Sequence, residues 1–184
     1  MTDLNFISIE TERLVLRRFR PDDAAAFAAY RSDPAIARYQ SWDETYSIED
    51  AERFIASLTR AHPGEPGEWF QFAVADRATD ALVGDCALHV DAHDSTRADI
   101  GYTLSPEHHG NGYATEAVAA LVAYAFGSLG VNRIQATADE RNTPSIRLAE
   151  RLGFAAVARV HTTFKGERCV EETYELVRDV AGAD

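Results

Sequence analysis

Residues 108–116 read His-His-Gly-Asn-Gly-Tyr-Ala-Thr-Glu, and a continuous apolar stretch from Ala117 to Phe126 follows at once. Two glycines ahead of an apolar helix make a turn whose main chain can approach an anion closely. The unpaired N–H groups of a first helical turn would point at the same place, so phosphate is the chemistry this turn could serve. The P-loop pattern is not met, because no Lys follows Gly112. The dinucleotide-binding fingerprint fails at Thr115, where a third glycine or alanine belongs. Ordinary turn chemistry would produce the same short string.

Other residues with chemical capacity are more scattered. Asn142 precedes Thr143-Pro144, where it reads as a turn or cap residue, and Ser145 falls in the first turn of the helix that follows. A Ser there can face solvent or bond back to its own helix. Cys86, His89 and His93, with Asp91 and Asp94 between them, have loosely metal-like spacing. Strand alternation sends Cys86 and His89 to opposite faces, so no metal site is expected. No Gly-x-Ser-x-Gly elbow offers a hydrolase nucleophile. Tyr39, Trp42 and Trp69 could line an acceptor pocket or serve as packing.

The elements that would position these residues follow from periodicity. Leu14–Arg18 alternates apolar and charged residues as a half-buried strand does. Pro21 with Asp22 and Asp23 starts a helix that ends before Pro34, and Ser47 with Asp50 starts a second that runs to about Arg60. Strands are expected over Trp69–Ala75, Leu82–Val90 and Ala98–Leu104. A helix from about Tyr113 to Leu129 ends at Gly130, with Val118, Leu121, Val122, Ala125 and Leu129 on one face. A strand at Arg133–Ala138 leads into the helix that opens at Thr143. Strands near Ala155–His161 and Val170–Arg178 flank a turn at Lys165-Gly166. The expectation is a mixed α/β fold, an α+β arrangement in which helices cover one sheet.

A chain of 184 residues is most simply one domain over residues 1–184, long enough to bury about 70% of its unfolded surface. With 46% hydrophobic and 26% charged residues it is globular. The N-terminus has no apolar signal-like core, the apolar run at 117–126 is too short for a bilayer, and two cysteines make no disulfide framework. A cytoplasmic protein without a membrane partner is expected. Net charge −12 argues against a nucleic-acid surface and gives a weak preference for a cationic acceptor.

Three segments together resemble the GNAT superfamily of acetyl-CoA-dependent N-acetyltransferases, in particular its ribosomal-protein N-terminal acetyltransferase branch. They are Thr-Glu-Arg-Leu-Val-Leu-Arg-Arg-Phe at 11–19 (with Pro21-Asp22-Asp23 and Ser32-Asp33-Pro34 after it), Asp99-Ile-Gly-Tyr-Thr-Leu-Ser-Pro running into Gly110-Asn-Gly-Tyr-Ala-Thr-Glu-Ala, and Asn142-Thr-Pro-Ser-Ile-Arg-Leu-Ala-Glu-Arg-Leu-Gly-Phe. The resemblance spans nearly the whole chain. It implies a single GNAT domain with a mostly antiparallel mixed sheet of about seven strands flanked by about four helices.

What the resemblance implies for the site can be stated residue by residue. The family signature aligns on His109, Gly110, Asn111, Gly112, Tyr113 and Ala114, with Thr115 after it, and the amides of that turn would hold the pyrophosphate of acetyl-CoA. His109 departs from the family Gln or Arg and brings no fixed charge. Tyr102, Thr103 and Leu104 would pair through their backbone with the pantetheine arm, as one strand pairs with another. Asn142 would point beside the acetyl group. The family Tyr that serves the leaving thiolate is replaced by Ala149, and Ser145 is the expected substitute. Asp99 or Glu140 would orient the amine, unless each is a plain surface carboxylate. The acceptor would be a primary amine, either a protein or peptide N-terminus or the amine of a polyamine, antibiotic or small metabolite. The missing Tyr leaves a non-catalytic CoA-binding module as the alternative, and a homodimer stays open.

Overall fold

The computed structural model describes residues 1–178. Eight strands form one sheet: β1 (Ser8–Glu10), β2 (Leu14–Arg17), β3 (Trp69–Asp76), β4 (Leu82–Val90), β5 (Arg97–Leu104), β6 (Arg133–Asp139), β7 (Ala155–Phe164) and β8 (Glu167–Val177). Their order across the sheet is β1-β2-β3-β4-β5-β6-β8-β7, and every neighbouring pair is antiparallel except β5 with β6. Five α-helices accompany them: α1 (Ala24–Arg31), α2 (Pro34–Ala37), α3 (Ile48–Ser57), α4 (Tyr113–Gly127) and α5 (Thr143–Arg151). This is the mixed α/β architecture expected, with one strand and one helix more. The additional strand is β1, three residues paired to β2, and the additional helix is the single turn of α2 capped by Asp33.

Strand alternation divides the interior in two. Phe70, Phe72 and Val74 of β3 and Cys86, Leu88 and Val90 of β4 face α4, which buries Val118, Leu121 and Ala125 against them. On the other side Ala73 and Leu82 meet Phe27, Ala28, Ala51 and Ile55 of α1 and α3. The capping box at Ser47 and Asp50 starts α3 as its sequence requires. An ion pair in this second layer, Arg17 with Asp23, is fully buried and bidentate at 2.8 and 2.9 Å. A buried carboxylate, Asp85 on β4, accepts from the Tyr30 hydroxyl and the Gln71 amide. Burial pushes the Asp85 carboxyl up despite those donors.

The one parallel junction positions the site. The crossover from β5 to β6 runs through α4, the connection that parallel strands need. β4 carries a bulge at Val83, between the Val74–Gly84 and Ala75–Leu82 pairs. At Gly84 a Cβ would stand 2.3 Å from the Thr103 carbonyl oxygen, so only glycine lets β4 and β5 approach there. Among the described residues, no helix is long and apolar enough to cross a membrane.

Candidate active site

β5 and β6 pair over three residues only, Arg97–Asp99 against Arg133–Gln135. Beyond that point β5 stays bonded to β4 through Leu104, and β6 to β8 through Asp139, so their inner edges part. The Arg97 carbonyl accepts from Asp91 N–H, and Ser105 N–H donates to the Val83 carbonyl. Odd-numbered residues of β5 therefore turn their backbone groups to β4, and alternation aims the amides of Tyr102 and Leu104 into the gap. A cavity of about 900 Å³ lies along this opening. It reaches from the start of α4, past the start of α5, to α2 and the β7–β8 hairpin.

At the α4 end Gly110 and Gly112 both have left-handed backbones, with φ of 78° and 80°. Packing does not ask for glycine here. A Cβ at Gly110 would meet nothing within 4 Å, and one at Gly112 would meet only Arg13 Nη2 at 3.5 Å. The backbone conformation does ask for it. Gly112 is the N-cap of α4 and supplies no side-chain acceptor, so the first amides of the helix keep their donors. His109 Nε2 lies 2.9 Å from the Leu104 carbonyl. A carbonyl only accepts, so the ring donates there and ties the turn to the end of β5. Asn111 does not line the cavity; its carbonyl accepts from Arg13 at 2.9 Å. Tyr113, Ala114 and Thr115 do line it, and the Thr115 hydroxyl accepts from Arg151 at 3.2 Å.

A clamp from the N-terminal segment fixes this turn. Glu116 accepts from the Thr11 hydroxyl at 2.6 Å, Arg13 N–H at 2.8 Å and Arg13 Nε at 2.7 Å. Arg13 also lies over the Tyr113 ring, 4.6 Å from its centroid. Burial works against the Glu116 charge, but the bonds from Thr11 and Arg13 outweigh it and hold the carboxyl below its usual range. Thr11 and Arg13 stand in the segment 11–19, about a hundred residues before Glu116, so nothing local in the sequence links them to it.

In the middle, Asn142 caps α5, accepting from Ser145 N–H at 3.4 Å, and also faces the cavity. The Ser145 hydroxyl is 3.0 Å from the Tyr102 hydroxyl, which also reaches the Ser145 carbonyl at 3.1 Å. Burial pushes the Tyr102 phenol up. Ala149 is buried one turn further along α5. Thr103 and Leu104 line the same wall, but the Thr103 backbone is turned to β4, so of the three β5 residues expected to pair with an arm in the gap only Tyr102 and Leu104 have their amides free for it.

The far end is assembled from side chains. The Lys165 ammonium at the hairpin tip donates to the Ala37 carbonyl at 2.9 Å and to the Trp42 carbonyl, with Asp43 at 3.3 Å. The Tyr39 hydroxyl donates to the Arg141 carbonyl at 3.4 Å. Between these ties the wall is Asp33, Ile36, Tyr39, Phe164 and Glu171. Asp33 is spent on capping α2, and Asp139 is held by Arg141 at 2.7 Å, which keeps its carboxyl low. Glu171 has no cationic partner among the described residues. Of the three aromatic candidates only Tyr39 lines the cavity. Trp42 stacks on Arg31, and Trp69 stacks on His89 in solvent.

Two expected residues are not brought to the cavity. Asp99 sits on the last rung of the β5–β6 ladder, half exposed, with His89 at 3.5 Å. Glu140 keeps its N–H bonded to Val170 on β8, and its carboxylate is paired with Arg159 of the edge strand. Cys86 is buried toward α4 while His89 lies beside Trp69 on the opposite face.

A family model described as the acetyltransferase (GNAT) domain matches residues 13–155. YoaA of Bacillus subtilis, described as an uncharacterized N-acetyltransferase, is 35% identical over 175 residues, which is 94% of this chain and 98% of YoaA. A GNAT-family acetyltransferase from Bacillus anthracis superposes with a TM-score of 0.81 at 27% identity, over 93% of this chain and 98% of its own. RimL, a ribosomal L7/L12 α-N-protein acetyltransferase solved with coenzyme A, shares the fold with a TM-score of 0.77 at 17% identity, over 94% of this chain and 98% of its own.

Proposed function

This chain belongs to the GNAT acetyltransferase family, and on that premise we propose that it moves the acetyl group of acetyl-CoA onto the α-amine of a protein or peptide N-terminus. The parted β5–β6 edge carries this reading, because it offers amides in register for an amide-bearing arm and leads directly to the uncapped start of α4. In it, the backbones of Tyr102 and Leu104 bind pantetheine, Thr103 being turned to β4, and the turn at Gly110 and Gly112 with Tyr113, Ala114, Thr115 and Arg151 binds pyrophosphate. Coenzyme A fits: the glycines leave the approach clear, and the cavity is large enough for a pantetheine arm and an acceptor together.

The reaction joins an amine nitrogen to the thioester carbon and breaks the C–S bond. The nitrogen lone pair forms the new bond, the carbonyl electrons move onto oxygen, and their return expels sulfur with the C–S pair. The amine loses one proton and the thiol gains one, so the protein needs only to relay it. Amides of β5 near Leu104 face the carbonyl oxygen as its charge grows. Ser145 donates to the sulfur as it leaves.

The choice of an α-amine rests on which cavity side chains are free. Asp33, Asp139 and His109 are already committed, and neither Asp99 nor Glu140 lines the cavity, which leaves His108 at the α4 end and Glu171 at the far end as the weak bases at hand. A weak base suits an α-amine, of which roughly a tenth is neutral at pH 7, whereas a lysine amine is neutral in about one part in a few thousand. Glu171 at the far end suits an acceptor that carries a further positive charge. The test compares acetylation rates near pH 7 for basic peptides with free N-termini and matched N-blocked peptides carrying only lysine. Faster transfer to the free N-termini, falling as salt rises, is expected. Equal or reversed rates would instead assign a lysine, polyamine or small-molecule amine.

A further inference from the structure

Tyr102 reaches Ser145 from the opposite wall of the cavity, 43 residues away in the chain, and its hydroxyl makes no other hydrogen bond among the described residues. We propose that Tyr102 is the positioning residue for Ser145: its phenol holds the Ser145 hydroxyl so that the serine proton is aimed at the departing sulfur. The proposal rests on the role given to Ser145 above.

The phenol has one proton and two acceptors within reach, the Ser145 oxygen at 3.0 Å and the Ser145 carbonyl at 3.1 Å. Either way that proton is spent on Ser145. When it goes to the hydroxyl oxygen, the serine cannot point its own proton back at the phenol and must donate elsewhere. Charge growing on sulfur favours this arrangement, because each bond in a donor chain strengthens the next. No bond to Tyr102 is made or broken. Burial raises the phenol, so it remains a donor throughout the pH range of catalysis. Packing does not call for the hydroxyl, since a Phe ring would fill the same place against the core. Ala149, one turn beyond Ser145, has no side chain that could substitute.

Three measurements on Tyr102→Phe and Ser145→Ala test this. Tyr102→Phe should lower kcat roughly tenfold, with KM for acetyl-CoA changed by less than about twofold. Added to Ser145→Ala it should cost nothing more, because the two hydroxyls act as one unit. Calorimetric titration gives a readout free of turnover: wild type should bind CoA more tightly than desulfo-CoA, and both variants should narrow that gap while leaving desulfo-CoA affinity alone. Wild-type turnover in Tyr102→Phe beside a slow Ser145→Ala would overturn the positioning role and leave the serine reading standing. Additive losses, or equal weakening of CoA and desulfo-CoA, would reduce Tyr102 to packing. Wild-type turnover in Ser145→Ala would remove both. Tyr102→Met, which tolerates a looser fit, repeats the coupling test should the Phe variant fold poorly.

Discussion

The two ends of the cavity are made of different material. The α4 end is backbone: two left-handed glycines, an uncapped helix start and the open edge of β5. The far end is side chains from a one-turn helix and a hairpin tip, tied together by Lys165 and Tyr39. A site built from amides tolerates side-chain change, so His109 can stand where the family has Gln or Arg and serve instead as a tie to Leu104. A site built from side chains changes with every substitution. The cofactor end is therefore set by the backbone of the fold, and the acceptor end by a few side chains particular to this chain.

That contrast can be broken or sharpened. Ser145, where the two ends meet, should show the largest effect: Ser145→Ala should lower kcat between roughly tenfold and a thousandfold with little change in acetyl-CoA affinity. Steady-state kinetics at saturating acetyl-CoA checks this. Gly112→Val should weaken acetyl-CoA binding by roughly tenfold or more, because a β-branched residue resists φ of 80° and blocks the approach of phosphate. Calorimetry on the folded variant would contradict the anion site if affinity were unchanged. Lys165→Ala should move the other end alone, raising KM for the peptide several-fold, roughly the loss of one or two hydrogen bonds, while KM for acetyl-CoA holds. A shift in both constants would mean the ends are coupled.

The smallest effect concerns the clamp. Glu116→Gln should cost about 1 kcal/mol of stability at neutral pH. The folded carboxyl is depressed, so its contribution is full above the unfolded value of about 4.3 and is lost as pH falls through the folded one. The difference in Tm between wild type and variant should therefore shrink below about pH 4. A constant difference would show that Glu116 acts through packing alone.

Legibility followed sequence distance. The glycine turn, the Ser47–Asp50 cap and the Lys165-Gly166 hairpin are set by residues a few positions apart, and each stands where periodicity put it. β1 is three residues long and α2 four, too short for either period to register, and Pro34 reads equally as the stop of α1 and the start of α2. The contacts that make the site span the chain: Arg13 to Glu116 across 103 residues, Tyr102 to Ser145 across 43, Lys165 to Ala37 across 128. Asp99 shows the same limit. Its strand was legible, but where the β5–β6 ladder ends is decided by what bonds each strand on its outer edge, and that end leaves Asp99 below the gap.

The central claim is that acetyl-CoA lies along the open edge of β5 with its pyrophosphate on the start of α4. Amide hydrogen exchange with and without acetyl-CoA tests it most directly. The account predicts slowed exchange at Tyr102 and Leu104 and across residues 110–116, with little change on β7 at the sheet's far edge. Unchanged exchange at those amides under saturating acetyl-CoA, or protection centred on another part of the sheet, would contradict it.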